Sequence, residues 1–134
     1  MNTKTRPCVR AAIAAAVLGV VSIGAFAQSR DRDPSWQAPS EVRDRVNPLA
    51  SHPEAAAGGA KLFHQRCATC HGEDARGTAK GPNLTSPDVL AETDGELYWK
   101  ITTGNTREGM PSFSFVPEPQ RWQLVLHLRS DHRR

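Results

Sequence analysis

Cys67-Ala68-Thr69-Cys70-His71 is the stretch on which the reading of this chain turns. Two thiols at this spacing, followed at once by an imidazole, match the chemistry of covalent haem attachment. The thiols add to the vinyl groups along one edge of a haem, and the histidine is then held beneath the ring with its imidazole aimed at the iron. Three other uses of these residues fit less well. A thioredoxin-like C-x-x-C follows a strand in a βαβ unit, and no strand pattern precedes Cys67. A zinc site requires more ligands than one C-x-x-C and a histidine, and the sequence holds no second cluster. A Cys67–Cys70 disulfide leaves His71 without a role.

Outward from this string, the chain reads as helices and long loops. Ser51-His-Pro-Glu54 has the form of a capping box opening a helix, with Pro53 tolerated in the first turn. Ala56, Gly59, Ala60 and Phe63 then share one helical face. Residues 72–92, with Gly72, Gly77, Gly81, Pro82 and Pro87, read as ordered loop with a short helix at Asp88 to Ala91. Thr93-Asp-Gly-Glu96 is a second capping box, and its helix should stop at Gly104. A last helix from near Pro119 to about Ser130 has a wide apolar face of Trp122, Leu124, Val125, Leu126 and Leu128. No segment alternates as a strand. The expectation is an all-α domain of three to four short helices, over residues 51–131, whose long loops wrap a large buried ligand.

The N-terminus supplies the compartment. Lys4, Arg6 and Arg10 precede an apolar run from Ala11 to Phe26, and Ala25-Phe26-Ala27 offers small residues for cleavage. This is the layout of a secretory signal peptide over residues 1–27, and the run is too short and too rich in small residues to span a bilayer well. Cys8 leaves with it, so both remaining cysteines belong to the C-x-x-C-H string. Cleavage after Ala27 leaves 107 of the 134 residues and brings the 17 basic side chains down to 14, equal to the 14 acidic ones. The isoelectric point near 9.0 therefore belongs to the precursor and does not argue for nucleic acid. Residues 28–50, polar and rich in proline, read as an extended mobile arm, in which Trp36 and Val46 are the side chains able to dock. The 38% apolar share of the full sequence excludes a multispan membrane protein, and the few cysteines exclude a disulfide scaffold.

A second axial ligand is the next question. Met110, in Gly109-Met110-Pro111, is the only methionine besides the initiator, and Pro111 biases it toward extended backbone suited to a loop across the far face of the ring. The rivals are His52, His64, His127 and His132. His64 lies too near Cys67 to reach the opposite face, and His127 sits on the last helix.

At this point the chain resembles the small bacterial single-haem class I cytochromes c, over about residues 47–130. The resemblance is carried by Gly59-x-x-x-Phe63-x-x-x-Cys67, Cys67-x-x-Cys70-His71-Gly72, Gly81-Pro82-Asn83-Leu84, Gly109-Met110-Pro111-x-Phe113, Arg121-Trp122 and Leu126-His127-Leu128-Arg129, with Asn47-Pro48 ahead of the first helix. It implies one haem c bound through Cys67 and Cys70, with His71 as proximal and Met110 as distal iron ligand. It further implies that the Pro82 carbonyl accepts the His71 ring N–H, which orients the imidazole and raises its basicity. Leu84 would pack on the histidine side of the ring. Gly59 would sit where the first and last helices cross, near Trp122. Tyr98, Trp99 and Phe113 are candidates for the pocket wall or for contact with the propionates. The chain departs from the family's pattern in the proline-flanked start of its last helix, Pro117-Glu118-Pro119, and in His127, where an aromatic residue is usual.

The function that the resemblance implies is periplasmic one-electron transfer by a carrier that is not itself an enzyme, exchanging electrons with redox proteins such as a dehydrogenase donor and an oxidase acceptor. A second expectation is a cytochrome subunit of a larger periplasmic dehydrogenase or terminal oxidase, with residues 28–50 as its docking tail. A third, a haem sensor or enzyme with an open site, needs Met110 off the iron. Lys61, Arg66, Arg76, Lys80 and Lys100 are the cations placed to border an exposed ring edge near Cys67. A phosphate-loop reading of Gly72-x-x-x-x-Gly77 fails, because Thr78 stands where the lysine belongs.

Overall fold

Eight short helical segments carry the chain through the part that the computed structural model describes, Met1 and residues 35–131. Six are α-helical: α1 (Ser40–Arg43), α2 (Ala56–Arg66), α3 (Ala68–His71), α4 (Pro87–Leu90), α5 (Asp94–Thr103) and α6 (Glu118–Asp131). Single 3-10 turns cover Pro53–Ala55 and Thr106–Glu108. Among the described residues there is no strand, only an isolated antiparallel bridge between Asn105 and Met110. The all-α expectation agrees. No helix among them is long and apolar enough to cross a membrane. The signal-peptide reading (apart from Met1), residues 28–34 of the arm and His132 lie outside the described residues.

α2 and α6 cross at Gly59. A Cβ there would collide with the Gln123 backbone carbonyl and lie 2.9 Å from the His127 Cβ, so only glycine lets the two backbones meet. The crossing thus centres on Gln123 and His127, just beyond Trp122. Phe63, one turn further along α2, is buried and lies 5.4 Å from the His127 ring. It joins Ala68, Ala75, Leu124 and Leu128 in one core cluster, with Leu62, Cys67, Leu84 and Ile101 packed against it. Leu97, Tyr98, Trp122 and Val125 form a second cluster, which Ile101 also touches. The wide apolar stripe of α6 therefore serves two cores at once.

The Thr93–Glu96 capping box forms as read. Thr93 Oγ1 accepts from the Glu96 N–H at 3.2 Å, and the Glu96 carboxylate accepts from the Thr93 N–H at 2.7 Å. The Ser51–Glu54 box does not form. His52 precedes a 3-10 turn opened by Pro53, no side chain caps it, and Glu54 bonds the His52 ring nitrogen at 3.2 Å. Two residues separate those partners, so the ring reaches the carboxylate before the helix end does.

Residues 35–50 also depart from expectation. They form a strap folded onto the domain rather than a mobile extended arm. Ala38 and Asn47 are buried, and the Asn47 side-chain amide donates to the Trp122 carbonyl at 3.0 Å. The Trp36 indole N–H donates to the Gly104 carbonyl at 2.8 Å. Gly95 lets the Val42 carbonyl of α1 lie directly on α5, where a Cβ would collide with it. Arg45 pairs with Glu118 at 3.1 Å and lies 4.8 Å above the Tyr98 ring. Val46, the other side chain read as able to dock, is exposed. A few anchors hold the strap, so no hydrophobic periodicity marks it in the sequence.

Arg129 ties α6 to the start of α5. Its guanidinium bonds the Asp94 carboxylate at 2.9 Å, the Leu90 carbonyl at 3.0 Å and the Glu92 carbonyl. Gly59→Ala should lower stability to chemical denaturation by about 1–3 kcal/mol, the usual range for forcing extra volume into a packed contact. Arg129→Met keeps most of the side-chain volume and should lose about 2 kcal/mol by the same measurement, since its hydrogen bonds are charge-assisted and partly shielded.

Candidate functional site

The C-x-x-C-H string folds as one helical turn at the end of α2. The Cys67 N–H closes α2 on the Phe63 carbonyl at 2.8 Å, and the His71 N–H returns to the Cys67 carbonyl at 2.9 Å. Gly72, at φ 81°, then turns the chain away in a conformation that side chains rarely adopt.

The loop after Gly72 folds back over that turn. Thr78 Oγ1 donates to the Cys70 carbonyl at 2.6 Å, and the Gly77 N–H donates to the His71 carbonyl at 2.7 Å. The Leu84 N–H reaches the Ala75 carbonyl at 2.8 Å, closing the loop on itself. Gly81 passes so close that a Cβ would lie 2.8 Å from the Cys70 carbonyl. This harness brings the Pro82 carbonyl to 2.9 Å from His71 Nδ1. A carbonyl only accepts, so Nδ1 is the donor in this contact, and Nε2 is the nitrogen left to ligate. His71 is buried, and its Nε2 makes no hydrogen bond among the described residues.

The two thiols are unpaired and half-buried. Burial pushes the Cys67 thiol up to about 11, and the neighbouring Cys70 adds to the shift. Cys67 is then a neutral thiol at ordinary pH, unlike the low-pKa thiolate that a redox C-x-x-C uses for attack. Among the described residues no three His, Cys, Asp or Glu side chains converge as a metal cage. Two thiols outside any disulfide, in the same turn as an imidazole whose Nδ1 is bonded to a carbonyl, are the donor set a covalently held haem requires.

The segment that carries Met110 follows α5. Gly104, at φ 65°, ends that helix. Asn105 and Met110 then exchange both backbone hydrogen bonds at 2.9 Å, closing a short loop through Gly109 at φ 85°. Beyond Met110, Ser112 Oγ donates to the Thr102 carbonyl at 2.7 Å, and the Phe113 N–H donates to the Ile101 carbonyl at 3.2 Å. Met110 is thus half-buried between two backbone anchors on α5's last turn.

The other candidates divide. Leu84 packs with Cys67 against the Phe63 cluster. Phe113 is buried, and Trp99 is half-buried and outside both clusters. Tyr98 is not free to wall a pocket: its ring stacks on Trp122 at 4.0 Å and 17° within the second core. Among the rival histidines, His64 bonds Glu73, His52 bonds Glu54, and His127 packs on Phe63. The roles of Thr78, Ser112 and Arg121 escaped the sequence reading, although Arg121 is among the residues that carry the resemblance. Arg121 donates to Thr102 Oγ1 at 2.6 Å and lies 4.8 Å from the Tyr98 ring centre, steadying α5's last turn. Their signals are single polar side chains in loops or helix faces, which no pattern distinguishes from solvated surface.

Known proteins resemble this chain in sequence. "Cbb3-type cytochrome c oxidase subunit CcoP" of Rubrivivax gelatinosus is similar to this chain, 41% identical over 80 residues, which are 59% of this chain and 26% of that protein. Cytochrome c550 of Pseudomonas aeruginosa is 32% identical over 89 residues, 63% of this chain and 61% of that protein. The chain therefore spans about a quarter of the first relative and three-fifths of the second. Residues 54–128 match the family described as "Cytochrome C oxidase, cbb3-type, subunit III", a cytochrome c family that implies haem c. That match takes in more than half of the sequence, both cysteines, His71 and Met110, and by it the chain belongs to this cytochrome c family.

Proposed function

We propose that this domain is a one-electron carrier with a single haem c, bound covalently through Cys67 and Cys70 and ligated by His71 and Met110. The observation that carries the reading is the His71–Pro82 hydrogen bond, which occupies Nδ1 and leaves Nε2 as the ligating nitrogen in the same turn as two thiols outside any disulfide. Bound there, the haem supplies a ferric/ferrous couple. The protein does the rest. Pro82 fixes the imidazole tautomer and strengthens it as a donor. Met110 would hold the iron through its thioether, which would leave no position for a substrate and would favour the ferrous state, as methionine ligation does in electron-transfer haems. Leu84, Trp99 and Phe113 keep water from the ring. Electron transfer without substrate chemistry is the role that remains.

The same reading places the mature protein in the periplasm, after cleavage behind Ala27, with redox proteins as its donor and acceptor. A second reading, a cytochrome subunit of a terminal oxidase, draws on the family description and on the relative from Rubrivivax gelatinosus. Purification under mild conditions separates the two: a carrier elutes alone as a monomer, and a subunit elutes with its oxidase.

Absorption spectra of the exported protein test the site. The expected outcome is haem that survives acid–acetone extraction, a low-spin spectrum, and no change of the reduced form under carbon monoxide. Met110→Ala should then bind carbon monoxide at a single site, while Cys67→Ala with Cys70→Ala should release its haem on extraction. Carbon monoxide binding by the wild type would take Met110 off the iron and favour an open-site sensor or enzyme. Absence of any covalent haem would overturn the whole reading.

A further inference from the structure

Trp36 stands far from Cys67 in sequence, yet it touches the segment that carries Met110. Its indole N–H donates at 2.8 Å to the carbonyl of Gly104, the residue that ends α5. Gly104 in turn lies against Pro111: a Cβ on it would collide with the Pro111 carbonyl and fall 2.6 Å from the Ser112 nitrogen. The next residue, Asn105, exchanges both backbone hydrogen bonds with Met110. Trp36 is itself fixed. The Lys100 ammonium lies 4.8 Å from the centre of its ring and is paired with Glu92 at 2.5 Å in a largely shielded position. A continuous set of contacts therefore runs from Glu92 through Lys100 and Trp36 to Gly104 and on to Met110.

From this we infer that Trp36 is a positioning residue for Met110: the N-terminal strap latches the base of the methionine loop and slows its departure from the iron. The inference rests on the reading of Met110 as the distal ligand. A bond to the last carbonyl of α5 would by itself cap a helix and no more. Here that carbonyl belongs to the residue packed on Pro111, so releasing it loosens the start of the loop and its packing on the residue after Met110. The remaining ties, Ser112 to Thr102 and Phe113 to Ile101, hold only the segment after Met110. Before it, among the described residues, the Gly104 N–H bonds the Lys100 carbonyl at 2.9 Å, and Trp36 and the Asn105–Met110 pair add ties beyond that helix end. A methionine–iron bond is weak enough for an external base to displace, so a loosened loop gives way to that base more readily.

The test is Trp36→Phe in the haem-loaded protein, which keeps an aromatic face for Lys100 and deletes the N–H. Imidazole binding to the ferric protein reads displacement of Met110, and its apparent affinity should rise about three- to tenfold, the factor expected from one lost hydrogen bond. Amide exchange at Asn105 and Met110 should quicken by a similar factor, with Phe63 and Leu124 at the α2–α6 crossing unchanged. Unaltered imidazole affinity with unaltered exchange at Met110 would overturn the proposal. So would exchange that quickens equally at Phe63 and Leu124, which is what a merely structural strap predicts. Carbon monoxide binding by the wild type is a separate failure: it removes Met110 as ligand and the positioning role with it, whatever Trp36→Phe does.

Discussion

The contact of two backbones at Gly59 sets the geometry from which the rest follows. Because the α2 backbone rests on the Gln123 carbonyl, the depth and place of the α2–α6 crossing are fixed by main-chain atoms rather than by side chains that could repack. α2 runs less than two turns from that point to Arg66, so Cys67 emerges at a determined height above α6. From the same crossing α6 presents Leu124 and Leu128 to one core and Trp122 and Val125 to the other. The first core carries Cys67 and Leu84, and the second carries the stacked Tyr98–Trp122 pair that supports α5. One glycine thus places the attachment turn and the helix that bears the methionine loop relative to each other.

Helices position the site coarsely, and loops aim it. Neither the Pro82 carbonyl nor Met110 belongs to an α-helix. Each is held by short-range bonds to the nearest helix: Thr78 to Cys70 and Gly77 to His71 on one side, Ser112 to Thr102 and Phe113 to Ile101 on the other. Such bonds carry direction that apolar packing lacks. They also explain how loops this long remain ordered in a small domain: their backbone groups are satisfied by helix ends that would otherwise be unpaired.

What the sequence discloses tracks how local the determining interaction is. The C-x-x-C-H turn, the Thr93–Glu96 box and the apolar stripe of α6 are each written within a few helical turns, and each is legible. The Ser51–Glu54 box is equally local and fails, because a histidine two residues from the glutamate competes for its carboxylate and a proline tightens the turn. The strap is unreadable for the opposite reason. Its partners are remote: Trp36 meets Gly104, Asn47 meets Trp122, and Arg45 meets Glu118. Each is a single polar contact in a segment whose composition is that of a solvated tail. Tyr98 shows the same limit within a helix, since spacing puts it on α5's inner side but cannot say whether a ring there meets Trp122 or a cofactor.

The charged residues take on a different meaning once their partners are known. Read as sequence, Lys100 belongs with Lys61, Arg66, Arg76 and Lys80 as a cation near the attachment site. In the structure its side chain is 16% exposed, bonded to Glu92, and turned under the Trp36 ring. Arg45 lies over Tyr98 and Trp122, Arg121 bonds Thr102, and Arg129 gathers the α4–α5 junction. These long side chains bury their stems and aromatic contacts while spanning gaps between helices that no apolar residue of the same reach could close. The four cations are fasteners between the strap, α5 and α6. Of the cations first grouped with Lys100, Lys61, Arg66, Arg76 and Lys80 are exposed on α2 and on the loop after the attachment turn, and Arg45, although a fastener, is itself 44% exposed. Formal charge summed over the chain therefore misstates the surface, because it counts internal ties together with groups that face water.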